Sequence, residues 1–312
     1  VNLREAHFGQ VLQVAAGWTG VAVLVAMNFF ELSRRPPWRY VFIVLAGVIA
    51  IRYLWWRTFE TLIFTDYVGF AGMAALYVAE VYSLALYFLS LFVNLSPLER
   101  DAVPLPEDRS AWPTVDVFIP TYTEDPEIVR LTVLAATQID YPRDRMRIYV
   151  LDDGGTLARR NDPALAEAAW KRRHQLVAMA RGLGAEYLTR ETNRQAKAGN
   201  LNHGLAHSTG ELILFLDCDH VPTSDILQET VGHFLRDPQT PHFFANAAPA
   251  ERSFGGGAPV PDESEMFYRV IHPGLDTWNA SYFCGSAALM RRTALEEIGG
   301  VRGLSITEDA ET

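Results

Sequence analysis

The sequence predicts an α/β domain preceded by membrane-spanning helices, and three observations support this fold class. Long apolar stretches with few charges fill residues 1–95. From residue 113 onward, short apolar segments alternate with longer segments of helical periodicity, which indicates parallel strands joined by right-handed helical crossovers. The composition, with 49% hydrophobic and 21% charged residues among 312, excludes a disordered chain and a small disulfide scaffold.

Charge and cysteine content restrict the classes of partner. Residues 1–95 contain six Arg, no Lys and five acidic residues, so most of the net charge of −10 falls on the rest of the chain. An acidic domain without runs of Lys or Arg argues against nucleic-acid binding. The two cysteines, Cys218 and Cys284, cannot form a disulfide framework, and their contexts indicate a reducing compartment.

Residues 1–95 form the predicted transmembrane region. Three apolar stretches, at about residues 8–30, 38–56 and 67–93, are long enough to cross about 30 Å of hydrocarbon. They exceed the apolar core of a signal peptide in length, and there are three of them. The sequence therefore predicts three spans. The alternative is a set of long buried helices in a soluble protein.

The orientation follows from the arginines between the first two stretches. These are Arg34, Arg35 and Arg39. The positive-inside rule places this loop in the cytoplasm. The third helix then runs inward, so everything after Asn94 is predicted to be cytoplasmic and the N-terminus lies outside. Because the chain begins at Val1 with few polar residues before the first stretch, we expect a further span upstream.

Two charges lie near the middle of predicted spans. Arg52 and Glu80 occupy the second and third stretches, where an unpaired charge is costly. We expect both to face the interior of the helix bundle, where they can pair with each other. The alternative for Arg52 is a side chain that extends to the membrane surface. Arg57 is placed in the loop after the second stretch.

Residues 96–112 form a proline-rich linker, and residues 113–312 form the α/β domain. Trp112, at the domain's edge, is expected to pack against it rather than anchor it to a membrane. The predicted strands are 115–120, 147–151, 185–188, 211–216 and 281–290. The predicted helices are 126–139, 163–182, 196–207, 266–272 and 292–298. Ligands of such sheets bind beyond the carboxyl ends of the strands, and acidic pairs fall at those positions.

Asp217 and Asp219 follow a strongly apolar strand. Two carboxylates separated by one residue can bind one hard divalent cation, which prefers oxygen ligands and keeps substrate phosphates in its shell. Such a cation would neutralise the charge that develops on a diphosphate leaving group. The alternative is a solvated turn. His220, the next residue but one after Cys218, either extends the cation's shell or caps the turn.

Asp152 and Asp153 end the neighbouring predicted strand, and Lys197 opens a predicted helix. A carboxylate at such a strand end can accept a hydrogen bond from a nucleobase or a ribose hydroxyl. A lysine beside the free N–H groups of a helix N-terminus suits phosphate oxygens. The alternatives are an ordinary Asp-Gly turn and a solvated lysine.

Two further segments are candidates for the acceptor side. A carboxylate of Thr307-Glu308-Asp309 could act as a general base on an acceptor hydroxyl. Phe283-Cys284-Gly285-Ser286 combines an aromatic ring with small residues, which suits a platform for a sugar. From the pattern alone, a core strand is the favoured interpretation of this segment.

Seven short motifs follow one another between residues 120 and 309. They are Pro120-Thr-Tyr-Thr-Glu124, Leu151-Asp-Asp-Gly154, Ala196-Lys-Ala-Gly-Asn-Leu-Asn-His203, Leu216-Asp-Cys-Asp-His-Val-Pro222, Thr240-Pro-His-Phe-Phe244, Phe283-Cys-Gly-Ser286 and Thr307-Glu-Asp309. In this order they resemble the processive family-2 glycosyltransferases, and most closely the bacterial cellulose synthase catalytic subunits. The resemblance implies a GT-A fold, UDP-glucose as donor, a β-1,4-glucan acceptor, and Mg²⁺ or Mn²⁺ as cofactor.

The resemblance also implies roles for individual residues. Uridine contacts would come from Tyr122, Glu124 and Asp152. Diphosphate and metal contacts would come from Lys197, Asp217 and Asp219, with Asp219 as the principal metal ligand. Asp309 would deprotonate the acceptor's 4-hydroxyl, so that attack on the α-linked donor inverts the anomeric centre. Phe283, Cys284, Gly285 and Ser286 would cradle the terminal glucose at the mouth of a transmembrane channel.

The chain departs from the family pattern in several places. Thr123 stands where the family often has Asn or Asp, which puts a donor role of this side chain in question. Asp237-Pro238 directly precedes Gln239-Thr-Pro241, where the family usually has a few apolar strand residues between them, so this segment is either genuinely short or lacks residues. The family's Gln-x-x-Arg-Trp motif, later spans and cyclic-di-GMP-binding domain would lie downstream. We therefore expect this chain to be an N-terminal portion of a longer synthase in the bacterial inner membrane, with a periplasmic partner subunit.

Three other functions remain open at this point. One is another processive membrane synthase, making chitin, hyaluronan or a mannan. A second is a non-processive transferase that glycosylates a lipid carrier. The third is a membrane subunit that binds UDP-sugar without turnover, although the presence of all the carboxylates argues against it.

Overall fold

The computed structural model describes residues 3–64, 66–98, 100–244, 267–285, 287–303 and 308–312. The chain divides into two compact units. The first unit combines residues 1–99 with 263–281, and the second combines residues 100–262 with 282–312. The boundary near residue 100 lies within the predicted linker.

The first unit is built on three long helices, α1 Leu3–Phe29, α2 Trp38–Glu60 and α3 Tyr67–Val93. Within the described residues, α2 and α3 are long and apolar enough to cross a membrane, whereas the apolar part of α1, residues 13–29, is shorter. None of the α3 side chains is buried, which leaves an apolar surface typical of a helix that faces lipid. The predicted span at about residues 8–30 stays a prediction, as does the crossing of a membrane by α2 and α3.

The predicted Arg52–Glu80 pair is wrong. The Arg52 guanidinium donates a hydrogen bond to the backbone carbonyl of Gln13 in α1. Glu80 instead accepts from Arg57 at 2.5 Å. The reason is that α2 continues one turn beyond its predicted end at residue 56, so that Arg57 lies on the helix, buried against α3, rather than in a loop.

The second unit contains a six-stranded sheet of order β3-β2-β1-β4-β6-β5. Its strands are β1 Val115–Thr121, β2 Met146–Asp152, β3 Glu186–Leu188, β4 Leu212–Phe215, β5 His242–Phe244 and β6 Ala288–Arg291. The first four strands pair in parallel, as the alternating pattern predicts, and β6 pairs antiparallel with β4 and β5. The α/β fold class is confirmed.

The antiparallel edge differs from the sequence prediction. The predicted strand over 281–290 begins only at residue 288, and β5 is an additional strand. The physical reason lies in the backbone, because Gly285 and Ala287 have φ values of +94° and +53°. A left-handed conformation at these two positions is incompatible with an extended strand.

Helices flank the sheet of the second unit. They are α4 Pro126–Ala136, α5 Leu157–Asn161, α6 Ala166–Leu183, α7 Ala196–Ala206, α8 Ile226–Arg236, α10 Arg292–Glu297 and α11 Glu308–Glu311, while α9 His272–Thr277 belongs to the first unit. Asp125 caps α4 by accepting from the Glu127 N–H at 2.9 Å, with Pro126 in the first turn, as expected of a helix start. Sequence analysis did not identify α8, and the predicted helix 163–182 begins at residue 166.

The hydrophobic core lies on both faces of the sheet. Along β1, Val117 and Ile119 belong to one buried cluster and Phe118 belongs to the other, because successive side chains of a strand point to opposite faces. Trp112 is buried in the first cluster, and its Nε1 donates to the Pro106 carbonyl at 2.8 Å. The expected packing role of Trp112 is confirmed.

Candidate active site

Three loops meet at the carboxyl edge of the parallel strands. Thr121 at the end of β1 is paired in register with Asp152 at the end of β2, and β4 runs parallel to β1 on its other side. The motifs that begin after Thr121, at Asp152 and after Leu216 therefore lie side by side. This arrangement is the one expected for a ligand site in an open α/β sheet.

Asp152 is completely buried, and protein groups engage both of its carboxylate oxygens. Oδ1 accepts from the Gly154 N–H at 2.9 Å and from Arg172 Nε at 3.1 Å. Oδ2 accepts from the Tyr187 hydroxyl at 2.7 Å. A buried charge requires such partners. The predicted uridine contact of Asp152 stays a prediction, and this geometry favours a positioning role.

Arg172, on α6, connects Asp152 to the loop after β1. Its Nη2 donates to Thr121 Oγ1 at 2.7 Å, and its Nη1 donates to the backbone carbonyl of Glu124. The Glu124 carboxylate accepts from the Thr121 hydroxyl at 2.7 Å and from the Tyr122 N–H at 2.6 Å. Burial acts against ionisation of Glu124, but these hydrogen bonds outweigh it and lower the pKa of its carboxyl. Glu124 is therefore an anion that holds the loop in shape.

Tyr122 presents an exposed aromatic ring beside this loop. Arg159 Nη1 donates to the Tyr122 hydroxyl at 2.8 Å, and the guanidinium lies 5.0 Å from the ring centroid. A cation over the ring holds its orientation. Tyr122 is thus available to contact a planar ligand at the edge of the sheet.

Asp153, the residue after Asp152, forms a two-bond ion pair with Arg190. Arg190 Nε and Nη2 donate to its two carboxylate oxygens, each at 2.6 Å. Burial raises the pKa of the Asp153 carboxyl, and the Arg190 guanidinium acts against that rise. Like Asp152, Asp153 is satisfied by the protein itself.

Lys197, in the first turn of α7, lies between the carboxylates of Asp217 and Asp309. Its Nζ lies 2.9 Å from Asp217 Oδ1 and 4.0 Å from Asp309 Oδ1. Gly285 closes the same cluster, because a Cβ at this position would collide with the Asp309 carboxylate and lie 3.2 Å from Lys197 Nζ. The structure thus brings together residues of four predicted motifs that are far apart in sequence.

The carboxylates after β4 suit a divalent cation. Asp219 is exposed, Asp217 is half-buried, and the loop between them is held by the Thr132 hydroxyl, which donates to the Cys218 carbonyl at 2.6 Å. The described residues contain no group of three or more His, Cys, Asp or Glu side chains in a metal-binding arrangement. Two hard oxygen ligands nevertheless fit Mg²⁺ or Mn²⁺, whose remaining positions are filled by substrate phosphates and water.

The remaining predicted site residues are Phe283, Cys284, Ser286, Thr307 and Glu308. Phe283 is buried and packs 5.4 Å from the Phe215 ring at the end of β4, and Cys284 is half-buried. Ser286 and Thr307 lie outside the described residues. Glu308 begins α11, and Asp309 follows it in the same helix.

The sequence prediction did not include the residues that hold Tyr122 and the carboxylates of Glu124, Asp152 and Asp153. They are Thr121, Arg159, Arg172, Tyr187 and Arg190. The general requirement that a buried carboxylate has a cationic or hydrogen-bonding partner predicts that such residues exist. It does not single out these arginines among the many on α5, α6 and the loop before α7.

Residues 116–299 match the sequence family described as glycosyl transferase family 2. The chain belongs to glycosyl transferase family 2. This family 2 chain shares its fold with a mannosyltransferase from Pyrobaculum calidifontis in complex with GDP-Man and Mn²⁺. The two are 23% identical, the alignment covers 76% of this chain and 60% of the other, and the TM-score is 0.50.

The curated relatives of this family 2 chain include named cellulose synthases. Cellulose synthase 1 of Komagataeibacter xylinus is 44% identical over 300 residues, which is 94% of this chain and 18% of the relative. The UDP-forming cellulose synthase catalytic subunit of Xanthomonas axonopodis pv. citri is 42% identical over 303 residues, 95% of this chain and 39% of the relative. The family 2 chain thus spans between about one fifth and two fifths of the length of these relatives.

Proposed function

We propose that the chain is the N-terminal portion of a processive, inverting glycosyltransferase that makes cellulose. Glucose would be transferred from UDP-glucose to the 4-hydroxyl of a growing β-1,4-glucan. The observation that carries this proposal is the cluster of Lys197, Asp217 and Asp309 around Gly285. It occurs in a chain 44% identical to a named cellulose synthase.

On the donor side, the chain's own residues would bind and orient UDP-glucose. Tyr122 offers an exposed ring for the uracil, and Glu124 and Asp152 shape the loop that carries it. Lys197 stands at the N-terminus of α7, where an ammonium and free N–H groups both favour a diphosphate. Binding at this end of the sheet would place the glucosyl group towards Asp309.

On the acceptor side, Asp309 would take the proton from the acceptor's 4-hydroxyl. Attack from the face opposite the diphosphate would form the new glycosidic bond, break the bond to UDP, and convert an α linkage into a β linkage. Gly285 contributes by its lack of a side chain, since this lets the Asp309 carboxylate approach the backbone closely. Phe283, Cys284 and Ser286 would support the terminal glucose.

Asp217 and Asp219 would hold Mg²⁺ or Mn²⁺ together with the donor's diphosphate. When bound, the cation would neutralise charge on the leaving UDP. The 2.9 Å contact between Lys197 Nζ and Asp217 supports this assignment, because it sets the lysine proposed for the phosphates beside a carboxylate proposed for the cation.

The helices of the first unit would place the protein in the bacterial inner membrane, with the second unit in the cytoplasm. The support is the length and apolar character of α2 and α3 and the arginines that precede α2. A channel for the product, a periplasmic partner subunit and a downstream cyclic-di-GMP-binding domain complete the proposed assembly. These three features rest on the similarity to the named cellulose synthases.

The test uses the protein expressed from its complete gene, reconstituted in lipid nanodiscs with Mg²⁺. UDP release is followed with a panel of UDP-sugars, and any polymer is digested with a β-1,4-glucanase. UDP release with UDP-glucose and a glucanase-sensitive product are expected. Turnover only with UDP-N-acetylglucosamine would replace cellulose by chitin as the product. Binding of UDP without turnover would contradict a catalytic role.

Two substitutions test the residue assignments. Asp309→Asn is expected to abolish transfer while the affinity for UDP stays within about twofold, because the base does not contact the donor nucleotide. Asp219→Asn is expected to remove the dependence of UDP binding on the divalent ion. Unchanged polymer synthesis by the first variant, or unchanged ion dependence in the second, would contradict the corresponding assignment.

A further inference from the structure

We propose that Arg190 is a positioning residue that sets Lys197 against the donor diphosphate, an inference that rests on the proposed function. Arg190 lies in the loop between β3 and α7, with its side chain 10% exposed. None of the seven motifs includes it. Its contacts join Asp153, at the end of β2, to the backbone that leads into α7.

The guanidinium of Arg190 makes four hydrogen bonds in two directions. Two run to the carboxylate of Asp153, each at 2.6 Å. The other two run to the backbone carbonyls of Arg194 at 2.7 Å and Ala196 at 2.8 Å. Only a planar fork with several donors can satisfy a carboxylate and two carbonyls at once. A lysine has one donor nitrogen and cannot span both sides.

The loop that Arg190 holds has a conformation that requires support. Gln195 and Ala196 adopt φ values of +60° and +42°, in the left-handed region that is costly for residues with a Cβ. Two such residues in succession persist only when their surroundings determine them. The bonds from Arg190 to the carbonyls on either side of Gln195 supply that restraint.

Lys197 follows immediately after this loop, so the conformation of the loop determines the position of the Lys197 backbone from which its side chain extends. Gly199 shows how closely helix and loop fit, because a Cβ there would collide with the Arg194 carbonyl and with Arg190 Nη1. Asn200 adds a second tie, donating to the Leu151 carbonyl at 2.7 Å. With Asp153 as a fixed anchor directly after β2, Arg190 positions the first turn of α7 and therefore Lys197 Nζ.

The experiment measures the affinity for UDP in the presence of Mg²⁺ by calorimetry, on the reconstituted protein. The variants are Arg190→Lys, Lys197→Ala and the double variant. Arg190→Lys is expected to weaken UDP binding about tenfold. In the Lys197→Ala background the same change is expected to weaken it less than twofold, because a residue that acts through Lys197 has nothing left to position.

Arg292→Lys is the matched control for a general loss of stability. Arg292 also pairs with a buried carboxylate, Asp116 at 2.9 Å, and donates to the Leu205 carbonyl at 2.9 Å. These contacts lie at the amino end of β1, away from the site. Arg292→Lys is expected to lower the melting temperature at least as much as Arg190→Lys but to leave UDP affinity within twofold.

The outcomes separate this inference from the proposed function. If Lys197→Ala leaves UDP affinity unchanged, the phosphate assignment of the proposed function is wrong. If Lys197→Ala weakens binding but Arg190→Lys does not, only the role of Arg190 is wrong. A tenfold effect of Arg190→Lys that persists in the Lys197→Ala background would also overturn it, since Arg190 would then act independently of Lys197.

Discussion

Asp152→Asn tests whether the buried carboxylate holds the site together. The change keeps the shape of the side chain but removes its charge. Arg172 Nε then loses the ionic partner that lies 3.1 Å from it, and the Tyr187 hydroxyl loses the acceptor that lies 2.7 Å from it. The side chain of Arg172 is only 12% exposed. Weakening hydrogen bonds to a buried charged group costs about 2 kcal/mol.

The expected result is a lower melting temperature of the second unit. For a unit of this size, about 2 kcal/mol corresponds to roughly 4–8 °C in Tm. The assay is intrinsic fluorescence of the reconstituted protein during heating, with UDP affinity measured alongside. Asp219→Asn is the matched control, because Asp219 is exposed and its loss is expected to leave Tm unchanged.

One result would refute this reasoning. If Asp152→Asn loses UDP binding but unfolds at the wild-type temperature, the carboxylate contacts the nucleotide and does not stabilise the loop. If it loses both, with Asp219→Asn losing only ion-dependent binding, the positioning role is supported.

Three further predictions concern Gly285, Glu124 and Cys218. Gly285→Ala is expected to reduce sugar transfer on the order of 100-fold, because the new methyl group displaces the Asp309 carboxylate; wild-type turnover in a coupled UDP-release assay would contradict it. Wild type is expected to have a higher Tm than Glu124→Gln. This Tm difference is expected to be largest above about pH 4.5 and to vanish as the pH falls further. A carboxyl whose pKa is lowered by folding stabilises the folded state only while it is ionised. A Tm difference that does not depend on pH would exclude this explanation. Burial raises the pKa of the Cys218 thiol to about 11, so iodoacetamide at pH 8 is expected to modify Cys218 only after unfolding, as followed by mass spectrometry.

Local sequence patterns were sufficient to predict those helices and strands whose formation depends on residues close together in the chain. The bounds of α3 coincide with the predicted stretch 67–93, because the spacing of charges along the chain limits an apolar helix. β1 and β2 were predicted to within one residue at each end, since buried parallel strands appear as short apolar runs that end in turn residues. The order of motifs also placed the candidate site at the carboxyl edge of the sheet.

The tertiary structure decided which partners the charged groups have. Sequence analysis paired Arg52 with Glu80, but one additional turn of α2 brings Arg57 to Glu80 instead. Similarly, Asp152 and Asp153 were considered as ligand-binding groups, whereas the structure buries both of them against arginines from α6 and from the loop before α7.

The reason for this division is physical. Apolar periodicity and turn residues act over a few positions and are visible in the sequence, so the sequence by itself determined the family, the α/β class and the positions of α3, β1 and β2. An ion pair depends on distances between segments 20 to 37 residues apart, as for Arg172–Asp152 and Arg190–Asp153. Those distances exist only after the chain has folded, so only the tertiary structure decided that Arg172 and Arg190 are the partners of Asp152 and Asp153.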